Sequence, residues 1–300
     1  MLSVHNFSYG LLNPALGYVM SCLGAFLGLR CTVRARALTG PARARWLALA
    51  AVSIGTTGIW VMHFIAMLGY TIPGLPILYN VPITIGSMLL AVIVVFAGLL
   101  IVGFGKEGWP TLLLAGTITG IGVASMHYTG MAAMQMQARM SYNPGLFALS
   151  VLIAVVAATV ALWFTLRLRA TWSTVGAALI MGLAVSGMHY TGMAAMRVYS
   201  AAPGAGMAMN GASAEGFLLP LIVGISVLAF VLTATLALSP TDEEIRADTE
   251  LMTRIGEAAA LRPGAHAAAP LAPASSPRWR PVITSRAAQA RRQGDDVPQP

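Results

Sequence analysis

Charge is what this chain has least of. Only 9% of its 300 residues are Asp, Glu, Lys or Arg, far below the share of about a quarter found in ordinary soluble domains. That scarcity excludes a water-exposed globular surface for most of the chain. Carboxylates are rarer still, at ten in all, and none lies in the long apolar runs. The runs therefore hold no acid and base pair for catalysis and no all-oxygen cage for a hard cation. Cysteine is limited to Cys22 and Cys31, the first inside an apolar run and the second at its end. This excludes a disulfide framework. No Cys-x-x-Cys-His segment occurs, so covalent haem attachment is excluded as well.

What is abundant is apolar surface. Hydrophobic residues make up 57% of the chain and the mean hydropathy is +0.75, values that belong to a membrane protein. A helix needs about 20 apolar residues to cross a bilayer. Runs of that length are read at about 9–29, 46–70, 82–104, 111–137, 146–168, 173–197 and 217–239. The expected fold is all-α, a seven-helix transmembrane bundle over residues 1–239. The first run lacks a basic leading region and a small-residue cleavage site, and reads as the first span and not a removable signal.

Basic residues orient the bundle. Arg30, Arg34, Arg36, Arg43, Arg45, Lys106, Arg167 and Arg169 fall in the loops of one side, against Arg139 and Arg197 on the other. The N-terminus is expected outside and the C-terminus in the cytoplasm. The net charge of +8 is distributed as membrane insertion requires, between those loops and an arginine-bearing tail, and implies no nucleic-acid partner. After the last run, Ser239-Pro240-Thr241-Asp242-Glu243-Glu244 resembles a helix start with acidic residues in its first turn. A short amphipathic cytoplasmic helix is expected over 240–262, followed by a disordered tail over 263–300 that is rich in Ala, Pro, Arg and Gln.

The most informative residues are repeated ones. Met-His-Tyr-Thr-Gly-Met-Ala-Ala-Met occurs unchanged at Met126 to Met134 and at Met188 to Met196, and Met62-His63-Phe64-Ile65-Ala66-Met67 is a looser copy. The histidines are separated by 64 and 62 residues, the length of one helix pair. The bundle therefore reads as three hairpin repeats plus a seventh helix. Parallel repeats place equivalent residues at equivalent depth, so His63, His127 and His189 are expected to form one layer. A histidine inside a span is costly and is by default functional. Small residues at four-residue spacing, such as Gly24 and Gly28 or Gly116 and Gly120, are expected to let helices approach closely.

On a helix, positions i, i+4 and i+7 share a face. His127 is thus joined by Met131 and Met134, and His189 by Met193 and Met196. His63 is joined by Met67, with Tyr70 in the last place. Imidazole nitrogen with thioether sulfur and no carboxylate is a donor set that favours copper, Cu(I) in particular. Haem is the competing cofactor, since His and Met are both axial ligands. Tyr128 and Tyr190 follow their histidines and either orient the imidazoles or anchor the helices at the membrane interface. Thr129 and Thr191 are expected to bond carbonyls of the preceding turn, and Gly130 and Gly192 to permit helix packing.

These words, their placement in alternate helices and their spacing resemble the MHYT domain family over roughly residues 9–239. The resemblance implies a sensor in the bacterial inner membrane that binds copper near the outer face and detects a diatomic gas such as O2, CO or NO. Family members are often fused to diguanylate cyclase or phosphodiesterase domains. Nothing similar follows the seventh run here, which implies a stand-alone, non-enzymatic input module read by a cytoplasmic signalling protein. The first copy departs from the family at Phe64-Ile65. A copper storage or delivery protein is the alternative from another functional class.

Overall fold

The structure, a computed structural model, describes residues 2–168, 170–200, 211–238 and 249–256. The chain divides into two units, Met1–Ser239 and Pro240–Pro300. In the second, residues 249–256 form an exposed helix, and the remainder of the expected amphipathic helix and tail lies outside the described residues. The first unit contains α1 (Leu12–Arg36), α2 (Gly40–Leu68), α3 (Val81–Phe104), α4 (Trp109–Ala132), α5 (Pro144–Arg167), α6 (Thr171–Ala195) and α7 (Leu219–Leu238). The first six are long and apolar enough to cross a membrane.

Consecutive helices pack side by side from α1 to α6, and α6 returns to α1, which closes a ring. The helix α7 lies against the middle of α2, so α2 has neighbours on most sides and its apolar window is 83% buried, against 28% for α3 and 22% for α5. Large side chains such as Ile93, Leu152 and Leu183 point outward and are exposed, as lipid-facing positions require. Small residues set the helix spacing, as the sequence led us to expect. A Cβ on Gly24 would collide with the backbone of Gly58, and one on Gly120 with the backbone of Val155.

Each hairpin is closed in the same way at one end of the bundle. Ser8 N donates to Gly69 O at 3.0 Å, Asn80 N to Ala133 O at 2.8 Å and Asn143 N to Ala195 O at 2.8 Å. Asn80 and Asn143 also cap their helices: the Asn80 side chain accepts from Ile83 N, and that of Asn143 from Gly145 N and Leu146 N, with proline in the first turn of both helices. A capped N-terminus with proline just inside it is a strong local start signal.

The same end carries two small antiparallel sheets that the sequence reading did not anticipate. Strands β1 (Leu78–Tyr79), β2 (Met134–Gln135) and β5 (Ala212–Ser213) form one in the order β2-β1-β5, and β3 (Ala138–Tyr142) pairs with β4 (Met196–Ser200) in the other. These strands correct the expected helix ends. The helix α4 stops at Ala132 and α6 at Ala195, not near 137 and 197, because the next residues pair with other strands: Met134 opposite Tyr79 and Met196 opposite Tyr142. The helix α2 begins at Gly40, earlier than expected, and takes in Arg43 and Arg45. Its central stretch, Ser53–Val61, is π-helical, a widened geometry that recurs at functional sites.

Candidate metal centre

Three of the histidines lie within two turns of the C-terminal ends of α2, α4 and α6, and they meet. The His63 Nδ1 is 3.0 Å from His189 Nδ1 and 3.1 Å from His127 Nδ1. The ring centroids are 4.9, 5.0 and 5.1 Å apart and each pair of planes is close to perpendicular, at 81°, 81° and 88°. This is a three-bladed propeller with nearly equal edges. All three residues are essentially inaccessible.

The arrangement is not satisfied by hydrogen bonding. A neutral imidazole offers one N–H and one lone pair, so a single Nδ1 cannot bond properly to two other Nδ1 atoms at once. The three Nε2 atoms are buried without any hydrogen-bond partner. Buried polar atoms left in this state call for a reason. One cation among the three Nδ1 atoms satisfies those three lone pairs together and leaves each Nε2 as a buried N–H donor. With metal to nitrogen bonds of about 2.0–2.1 Å, donors in a trigonal or tetrahedral shell lie about 3.3–3.6 Å apart, a few tenths of an ångström more than the 3.0 and 3.1 Å found. His63, His127 and His189 are also the group among the described residues whose donor atoms all fall within 4.8 Å of one another.

The glycines of the repeated word hold these rings. A Cβ on Gly130 would lie 2.5 Å from His63 Nε2 and 3.0 Å from its Cδ2. One on Gly192 would overlap His127 Nε2 and lie 2.9 Å from its Cδ2. Each glycine therefore receives the imidazole of the preceding copy, one helix pair away. The sequence reading gave these glycines only a helix-packing role. Their signal was present in the word itself, since His and Gly three residues apart share a helix face.

The methionines divide into two groups. Met67, Met131 and Met193 are buried one turn beyond their histidines, on helix. Met134 and Met196 are buried too, but they stand in β2 and β4. The shared helical face that suggested them does not extend that far, because the helices end first. The hydroxyl of Tyr128 pairs with Ser150 Oγ at 2.6 Å, and Tyr190 packs against Phe7 with centroids 5.6 Å apart. Both ring planes stand edge-on to the adjacent histidine. Phe64, in the departing copy, is fully buried and edge-on to His63. Thr191 Oγ1 donates to Gly187 O at 2.7 Å, as expected.

Above the layer, the cap turns tyrosines inward, while its strand charges Arg139 and Arg197 are exposed. Burial, then the neighbouring Tyr142, pushes the Tyr70 phenol up to about 12. Burial also raises Tyr79, with Tyr70 as the second cause, and raises Tyr142, with Tyr128 as the second cause.

Comparison with known proteins finds relatives among bacterial signalling proteins. The MHYT profile, described as "Bacterial signalling protein N terminal repeat", matches residues 57–115 and 120–178. The chain is 36% identical over 250 residues to the bifunctional diguanylate cyclase/cyclic di-GMP phosphodiesterase MucR of Pseudomonas aeruginosa, covering 82% of this chain and 36% of that protein. It is 36% identical over 229 residues to the cyclic di-GMP phosphodiesterase NbdA of the same organism, covering 74% and 28%. It is 29% identical over 201 residues to the signaling protein YkoW of Bacillus subtilis, covering 64% and 25%. The chain thus spans about a third of the length of the relatives it matches first. No solved structure matches it. Six apolar spans, the repeated histidine word and these relatives make this a multi-pass bacterial membrane protein, and the chain belongs to the MHYT family of signalling proteins.

Proposed function

We propose that this chain is the sensory part of a bacterial signalling system, in which His63, His127 and His189 hold one copper ion through Nδ1. The observation that carries the reading is the convergence of three Nδ1 atoms, which one proton each cannot pair with one another at once. Neutral nitrogen donors suit a soft, low-charge ion in an apolar layer. The C-terminal ends of α2, α4 and α6 add the negative ends of three helix dipoles near the same point, which favours a cation. Nitrogens this close leave no room for a macrocycle between the rings, which weighs against haem. Met67, Met131 and Met193 are the candidates for a further thioether ligand, and Met134 and Met196 follow them. Tyr128 and Tyr190 brace the rings from the side.

When bound, the ion would supply an open coordination position for a diatomic gas, or a change of redox state. The protein's own part is to fix three donors, exclude water and respond by a shift of α2, α4 or α6. The topology proposed with this function has seven spans, with α7 as the seventh, the N-terminus outside and the cap and triad at the outer face. Residues 1–239 then form the sensory domain, and residues 240–262 and the tail lie in the cytoplasm. By analogy with MucR and NbdA, the receiver is a cytoplasmic enzyme activity of cyclic di-GMP turnover, and residues 1–239 serve it as a sensory input. The test is the metal content of the purified protein beside the H63A/H127A/H189A variant. Copper near one equivalent in the first and none in the second is expected, and equal copper in both refutes the reading.

A further inference from the structure

Beneath the histidine layer, on the side away from the strand cap, the bundle holds a partly open cavity of about 60 Å³. Its position follows from helix geometry. Ile59, Val123 and Val185 line it, and these are the residues four positions before His63, His127 and His189. Met188, adjacent to His189, lines it as well. One turn of apolar side chains therefore separates the void from all three imidazoles at once. The opposite wall comes from α5, through Ala154, Ala158, Ala161 and Leu162. A row of alanines where the rest of this helix carries Leu, Val and Phe is what keeps the space open.

The cavity is dry by chemistry. Its polar wall groups are Thr119 and Thr165; the Thr165 hydroxyl is spent on Leu162 O at 2.7 Å, and that of Thr119 makes only a long contact with Val94 O at 3.5 Å, which leaves the wall at most one polar group for a guest. A water needs two to four polar partners, and an apolar cavity of this kind stays empty of water while accepting an apolar guest such as xenon. A tightly packed interior leaves few voids larger than a water molecule, so one of this size against the triad calls for an occupant. A charged or hydrogen-bonding guest would lose its solvation there without replacement.

We propose that this cavity is a binding chamber for an uncharged apolar molecule of diatomic-gas size, from which the occupant reaches the histidine layer. The inference extends the gas-sensing reading above and rests on it for the natural occupant, but the chamber itself is independent of any metal. In crystals of the full chain prepared without metal and pressurised with xenon, a xenon peak is expected between Val123, Val185 and Ala158. The Ala158→Leu variant fills the space from one turn of α5 and Ala161→Leu from the next, and each is expected to lose that peak. No xenon peak in the unaltered protein overturns the proposal, as does ordered water or a lipid chain in its place. A peak of equal height in both variants overturns it too. A protein that binds xenon but not copper would refute the metal centre and leave the chamber standing, and the reverse result would do the opposite.

Discussion

Gly192→Ala tests the triad through a residue that carries no ligand atom. The new Cβ would overlap His127 Nε2 and stand 2.9 and 3.2 Å from Cδ2 and Cε1 of the same ring. The methyl sits on helix backbone and cannot withdraw, so the ring must move by about an ångström to restore contacts near 3.5 Å. Two effects act on stability. Overpacking a filled interior costs about 1–3 kcal/mol, while alanine in a helix gains about 1 kcal/mol over glycine. The net loss is therefore about 2 kcal/mol at most, and the fold persists. Metal binding is far less tolerant, because ligand distances must hold to about 0.2 Å. We expect copper affinity to fall by about 10- to 100-fold, the usual effect of disturbing a group that orients a ligand. Gly130→Ala should be at least as damaging, since it displaces His63, whose Nδ1 touches both other rings. Competition against a copper chelator gives the affinity, and a thermal melt of the metal-free protein gives the stability. An unchanged affinity in a folded Gly192→Ala protein refutes the seat, and a melt that collapses refutes the separation of the two effects.

Two predictions concern the cap. The Tyr70 hydroxyl is buried without a partner and its phenol is raised from 10.0 to about 12. Because the folded state holds the neutral form, this contribution is complete below pH 10 and disappears as pH rises through 12. Tyr70→Phe should leave stability unchanged or higher at neutral pH, and it should flatten the alkaline fall in melting temperature; identical alkaline profiles for both proteins contradict this. At the start of α5, Asn143→Ala removes the acceptor for Gly145 N and Leu146 N and should cost about 1 kcal/mol. A melt that shows no loss would mean that the helix start is held by other contacts.

Much of this was legible before any coordinates. A span of about 20 apolar residues has few alternatives, and a nine-residue word repeated at the interval of a helix pair puts like residues at like depth. His63, His127 and His189 had to share a layer once the hairpins were read as repeats. The donor atoms on offer were equally plain from composition, because nitrogen and sulfur were present in the spans and carboxylate was not. These are properties of local sequence and of its period, and they survive any detail of packing.

The tertiary structure decided the rest. That Nδ1 and not Nε2 faces inward depends on Gly130 and Gly192 of the neighbouring copies, a contact between residues more than 60 positions apart. The strand positions of Met134 and Met196 depend on pairing with Tyr79 and Tyr142, and no helix-face argument can foresee where a distant strand stops a helix. The chamber under the layer exists only because the alanines of α5 face Val123 and Val185 across the bundle. Sequence period fixes depth along a helix, whereas rotation about its axis and what stands opposite are set by the neighbours that pack against it.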